Sequence, residues 1–225
     1  MSCNILVIAP PRSSSTFYCD FLSKLYNLKN AGEPWPLTQA SEFFTNWSST
    51  EQSKKMFEKT NLDFFGEQDA LIKLHPGHVS EYSPFRPKGW FHKVVDYADD
   101  IHFLVRQDSH AQIQSLFVSL VNGRKSNYSF HDDWQEELHI SDTPENRRDW
   151  QYCQSLVYNN IVGLSILYQM LLPHNPKIVW YEDLAELMPN RYHRPFKMEW
   201  EPDHLYSDKD FFNIKQIFKA NQDCF

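Results

Sequence analysis

Short, mainly apolar runs alternate along this chain with longer stretches in which apolar residues recur at helical spacing. The runs lie at Asn4 to Ala9, Ala70 to His75, Ile101 to Arg106 and Lys177 to Glu182, with a weaker one near Tyr26 to Ala31. Strands that are apolar on successive positions need cover on both faces, which is the condition of a parallel sheet packed between helices. After the first run, Phe17, Phe21, Leu22, Leu25 and Leu28 follow a helical period, and after Arg106 so do Ile113, Leu116, Phe117 and Leu120. A long helix is expected from about Pro144 to Leu172. Thr143 is its N-cap, Pro144 takes the first helical position, and Leu156, Ile161, Leu164, Leu167 and Leu171 form the stripe to be buried. The pattern predicts an α/β fold with a central, mostly parallel sheet of about four to five strands flanked by helices.

Two stretches break the alternation. Glu42 to Asn61 is polar with interspersed Phe and Trp, and Asn122 to Asp142 is rich in charges and aromatics. Long irregular segments in a compact domain are binding loops or lids as often as bare surface excursions. The tail from Met188 to Phe225 is rich in Pro and aromatics, with one helix expected from about Asp208. With 225 residues and no internal repeat, the expectation is one domain over 1–225, with 34–61 and 122–142 as its variable segments.

Composition narrows the function classes. Hydrophobic residues make up 41% of the chain against 6 glycines, which excludes a disordered or collagen-like protein. Lys+Arg 22 against Asp+Glu 29 gives a net charge of −7, so no broad surface for nucleic acid is expected, whereas a small basic pocket for one anion is compatible. Cys3, Cys19, Cys153 and Cys224 are widely separated and read as reduced thiols. The N-terminal apolar run is too short for a signal-peptide core. Ile161 to Leu172 is interrupted by Ser165 and Gln169 and is shorter than the roughly 20 residues of a membrane span. A cytoplasmic location without a membrane partner is therefore expected.

Three constellations carry chemistry. The first strand runs into Pro10-Pro11-Arg12-Ser13-Ser14-Ser15-Thr16 and then a helix. A tight strand-to-helix turn leaves several N–H groups converging where the helix dipole also favours an anion, and Arg12 adds a planar fork suited to phosphate or sulfate oxygens. From the residues alone an ordinary serine cap beside an exposed arginine fits equally well. The turn is not the nucleotide-triphosphate loop, because it has neither glycine nor the lysine that precedes a Mg²⁺-binding hydroxyl. The second constellation is Arg106 at a strand's C-terminal end, the side where open α/β sheets bind ligands, followed on the next helix by Gln114 and Ser115. The third is the strand ending in Trp180-Tyr181-Glu182-Asp183-Leu184.

In this order the three resemble the PAPS-dependent sulfotransferase superfamily, whose fold is P-loop-like. That family opens on a strand and a Pro-(Lys/Arg)-Ser-Gly-(Ser/Thr)-(Ser/Thr) loop, here Pro11 to Thr16, and its loop binds the 5′-phosphosulfate of the cofactor PAPS, which is released as PAP. Its strand-end arginine and helical serine bind the 3′-phosphate, here Arg106 with Ser115. The family's spacing falls on Gln114, one residue earlier, so both positions stay candidates. Its Tyr-Glu-Asp-Leu, here Tyr181 to Leu184, places the tyrosine near the adenine in many members. The resemblance covers about residues 4 to 185. It implies a transferase that moves a sulfuryl group to a hydroxyl of a small-molecule, carbohydrate or peptide acceptor.

The same resemblance implies the catalytic set. Arg12 matches the cation that stabilises the leaving group, and Lys73 in Lys73-Leu74-His75-Pro76 is a second one. Two bases stay open. His75 matches the base of small-molecule members, and Glu33 in Gly32-Glu33-Pro34 matches that of tyrosyl-protein and several carbohydrate-acting members. A histidine serves near neutrality unaided, whereas a glutamate needs desolvation to raise its pKa. The late basic loop of animal cytosolic members is absent, which leaves Arg191 or Arg194 to close over the cofactor. Ser14 stands where the family has glycine, so a positive φ there would be strained. The acceptor pocket falls to Phe43, Phe44, Trp47, Tyr128, Phe130 and Trp134 in the variable segments. His75 and His78 lack a third ligand, so metal-free chemistry is expected.

Overall fold

Strand β1 (Ile5–Ile8) is buried on both faces, as its unbroken apolar run requires, and it is the centre of the sheet. The computed structural model describes residues 3–32, 69–78, 90–125, 137–185 and 196–220. Within them, β2 (Lys29–Gly32), β3 (Ala70–Leu74), β4 (Asp100–Val105) and β6 (Lys177–Trp180) join β1 in a five-stranded sheet of order β2-β3-β1-β4-β6, and every pair is parallel. The α/β class and the mostly parallel sheet are those expected from the alternation. A second, two-stranded parallel pair, β5 (Leu138–Ile140) with β7 (Phe196–Met198), lies in stretches where irregular chain was expected.

The strand periodicity of two sorts the core. Leu6, Ile8, Ile72, Leu74, Phe103 and Val105 form one face with α2 (Trp90–Tyr97) and the C-terminal half of α4 (Pro144–Leu171). Ile5, Val7, Ala9, Leu71 and Leu104 form the other with α1 (Ser15–Tyr26). Behind the first layer, α3 (Ser109–Lys125), the N-terminal half of α4 and α6 (Asp208–Ala220) enclose a second apolar cluster around Phe117, Trp150 and Phe211. By length and composition α4 could cross a membrane. In this fold its Leu164, Leu167, Tyr168 and Leu171 are buried against the sheet instead.

Thr143 caps α4 as expected, its Oγ1 accepting from the Asn146 N–H at 3.1 Å, with Pro144 in the first turn. Three expectations are corrected. In α1 the buried face is Ser15, Tyr18, Cys19 and Leu22, while Phe21 and Leu25 are exposed; Tyr18 fills the core because its hydroxyl finds a partner in His102 Nδ1 at 2.6 Å. In α4 Val157 rather than Leu156 is buried. The β6 strand stops at Trp180, and Tyr181–Ala185 is a short helix, α5, rather than a strand end. Among the described residues Cys3, Cys19 and Cys153 form no disulfide, and Cys224 lies outside them.

The topology itself selects a place for a ligand. From β1 the chain crosses toward β3 and β2, whereas from β4 it crosses the other way, toward β6. The loops leaving β1 and β4 therefore diverge, and a crevice opens between their C-terminal ends. Arg12 and Arg106 stand on those two loops.

Candidate functional site

The turn after β1 has an unusual backbone. Arg12 (φ 62°) and Ser14 (φ 59°, ψ 28°) both adopt the left-handed conformation, so the strain expected of a serine in place of glycine is present. What holds the turn is a set of donors on three consecutive carbonyls. Ser13 Oγ donates to Pro10 O at 2.7 Å, Gln112 Nε2 to Pro11 O at 2.6 Å, and an Arg106 terminal nitrogen to Arg12 O at 3.3 Å. The carbonyls of Pro10, Pro11 and Arg12 are thus already bonded within the protein. Among the described residues no acceptor meets the N–H groups of Ser14, Ser15, Thr16 or Phe17, and Ser14 makes no side-chain cap. Alternating left-handed residues ahead of a helix N-terminus form an anion-binding concavity.

Two guanidinium groups converge on this turn. Arg12 Nε donates to Ser115 Oγ at 3.1 Å, while Gln114, the other helical candidate, is exposed. Burial, and then the positive charge of Arg106, lower the pKa of Arg12, although Tyr181 acts in the opposite sense. An anion placed between the two arginines would relieve both penalties. Arg106 is buried, with its guanidinium carbon 4.3 Å from the centre of the Tyr181 ring. Tyr181 thus supports the arginine from one face. Glu182 accepts from the Gln107 N–H at 3.0 Å and the Asp108 N–H at 3.3 Å.

The end of β3 adds the other pair. Lys73 is buried and its ammonium donates to Thr16 Oγ1 at 3.2 Å, which brings a cation to the first turn of α1. His75 is 8% exposed, and its Nδ1 is 2.5 Å from the carbonyl oxygen of Ala9. A carbonyl only accepts, so Nδ1 carries the proton and Nε2 of the neutral ring keeps its lone pair. The turn behind it, Pro76–His78, packs against α4 at Gly163, where an added Cβ would stand 3.0 Å from Pro76 Cβ.

Of the residues singled out in the sequence, Arg12, Ser13, Ser14, Ser15, Thr16, Arg106, Ser115 and Tyr181 gather around this crevice, with Lys73 tied to it through Thr16 and His75 through Ala9. Glu33, Arg191, Arg194 and the aromatics Phe43, Phe44, Trp47, Tyr128, Phe130 and Trp134 lie outside the described residues. Two contributors were missed. Gln112 is fully buried and holds the loop while its Oε1 has no partner among the described residues; its polar place on a buried helix face was the available signal. Lys215 on α6 is buried and donates to Gln107 O and Ser109 Oγ, both at 2.5 Å, a long-range contact that no local pattern encodes. Among the described residues no cluster of His, Cys, Asp or Glu has the makings of a metal site.

No family model matches the chain, and no curated protein matches it.

Proposed function

We propose that the protein is a sulfotransferase that moves the sulfuryl group of PAPS to a hydroxyl of a small-molecule, carbohydrate or peptide acceptor. The observation that carries this reading is the pairing of Arg12 with Arg106 at the crevice between β1 and β4, beside a turn whose carbonyls are already bonded and whose N–H groups face no described acceptor. Such a donor set fits the oxyanions of a phosphosulfate and of a second phosphate, and the mutual repulsion acting on Arg12 fits a site that gains stability when an anion arrives. The order of the motifs, as the superfamily has them, supports the same assignment.

In this reading the 10–16 turn and Arg12 hold the 5′ group, and Arg106 with Ser115 holds the 3′-phosphate. PAPS supplies the activated sulfuryl group. Arg12 and Lys73 are fixed cations on which charge leaving toward the 5′-phosphate is stabilised without reorganisation. His75 receives the acceptor proton at Nε2, its ring held in the required tautomer by Ala9. Glu33 is the other base, on the carboxylate-dependent route.

The test is acceptor-dependent release of PAP from PAPS over a panel of phenols, sugars and tyrosyl peptides, in the absence of metal. Turnover with any acceptor class upholds the reading. Thermal stabilisation by ATP with Mg²⁺ but not by PAP would replace it with phosphoryl transfer, and PAP binding without turnover on every class would leave a binding module.

A further inference from the structure

We propose that Glu182 is a positioning residue for Arg106. The inference rests on the reading of Arg106 as a ligand of the nucleotide 3′-phosphate. A carboxylate beside a buried arginine is ordinarily taken for its ion-pair partner or for a catalytic base. Here both carboxylate oxygens accept from backbone: Oε1 and Oε2 take the Gln107 N–H at 3.0 and 3.1 Å, and Oε1 also takes the Asp108 N–H at 3.3 Å. The neighbouring Tyr181 stacks on the Arg106 guanidinium at 4.3 Å. Two consecutive residues of α5 therefore hold the arginine's side chain and the backbone that follows it.

Lys215 completes the clamp. Its ammonium donates to Gln107 O and to Ser109 Oγ. The peptide group joining Gln107 to Asp108 thus presents its N–H to the Glu182 carboxylate and its C=O to the Lys215 ammonium. A peptide dipole between opposite charges is held in one orientation, and the chain leaving Arg106 is fixed before any ligand arrives. Freedom removed in advance is not lost on binding, which is how preorganisation raises affinity.

The experiment is calorimetric titration of wild type, Glu182→Ala and Glu182→Gln with PAP and with AMP, which lacks the 3′-phosphate, combined with amide exchange at Gln107 and Asp108. Glu182→Ala is expected to lose about tenfold or more in PAP affinity and about twofold or less in AMP affinity, with Glu182→Gln intermediate because its amide oxygen still accepts. Equal losses for both nucleotides, or no loss for PAP, would overturn the proposal. If wild type binds neither nucleotide, the functional reading fails and the exchange data decide the positioning claim. Amides protected in wild type and exposed in Glu182→Ala uphold it, and unchanged protection refutes it.

Discussion

The guanidinium of Arg106 donates to the carbonyl oxygen of Arg12, 94 residues earlier in the chain, and in doing so ties the loop leaving β1 to the loop leaving β4. The tie spans the point where the two crossovers diverge. It also places two permanent positive charges close enough that burial and repulsion together lower the pKa of Arg12. In the proposed function a bound anion would offset that repulsion, and the following consequences can be measured.

Strain at Ser14 is the first. A non-glycine residue at φ 59° and ψ 28° pays for its Cβ, so Ser14→Gly is expected to raise the free energy of unfolding by about 0.5–1 kcal/mol, and Ser14→Val to lower it by about 1–2 kcal/mol. Urea denaturation measures both. A destabilised glycine variant would show that the hydroxyl, rather than the backbone, governs this position.

His75 offers a cleaner separation of structure from chemistry. His75→Asn keeps an N–H able to donate to Ala9 O but removes the Nε2 lone pair. Its single-turnover rate with PAPS is expected to fall by about a hundredfold or more, with PAP affinity nearly unchanged. An unchanged rate would transfer the role to Glu33, to be checked with Glu33→Gln.

Gly163 links the long helix to that histidine. An alanine there would bring its methyl group within 3.0 Å of Pro76 Cβ, so Gly163→Ala should lose about 1–2 kcal/mol to overpacking rather than gain the usual helix propensity. Thermal unfolding decides it, and a more stable variant would mean that the Pro76–His78 turn yields freely.

Acid behaviour follows from Asp100. Burial pushes its carboxyl up, but the neighbouring His102 and Lys177 outweigh this and bring the pKa down to about 2. His102 Nε2 is 3.0 Å from Asp100 Oδ2, and Lys177 also donates to that oxygen. A carboxylate whose pKa is lower folded than unfolded adds stability above about pH 4 that is lost as the pH falls toward about 2. Discounted for solvent screening of this partly exposed group, the contribution is about 1 kcal/mol. Asp100→Asn should therefore be less stable than wild type at pH 6, and the gap should close by about pH 2. A gap independent of pH would assign the effect to packing.

The sheet was legible in the sequence because buried parallel strands announce themselves as short, mainly apolar runs, unbroken in Ile5–Ile8 and interrupted by His102 in Asp100–Val105. The cap at Thr143 and the arginines at the strand ends were legible for the same local reason. Tyr18 was not, since an aromatic hydroxyl becomes a core residue only through its distant partner His102. Lys215 was hidden likewise, and Gln112 showed only as a polar residue on a buried helix face: each is buried because the loop it holds lies about a hundred residues away, with separations of 101 from Gln112 to Pro11 and 108 from Lys215 to Gln107. Tyr181 and Glu182 stood out as a motif, but their work on the 106–109 turn needed the fold to bring β4 beside β6.

Calorimetric titration with PAP, of wild type and of Arg106→Ala, tests the central claim most directly. Wild type is expected to bind one equivalent, and Arg106→Ala, still folded, to bind about 10- to 100-fold more weakly, the worth of charge-assisted hydrogen bonds to one phosphate. Folded wild-type protein that releases no heat and gains no thermal stability with PAP, or an Arg106→Ala variant that binds it as tightly, would contradict the account.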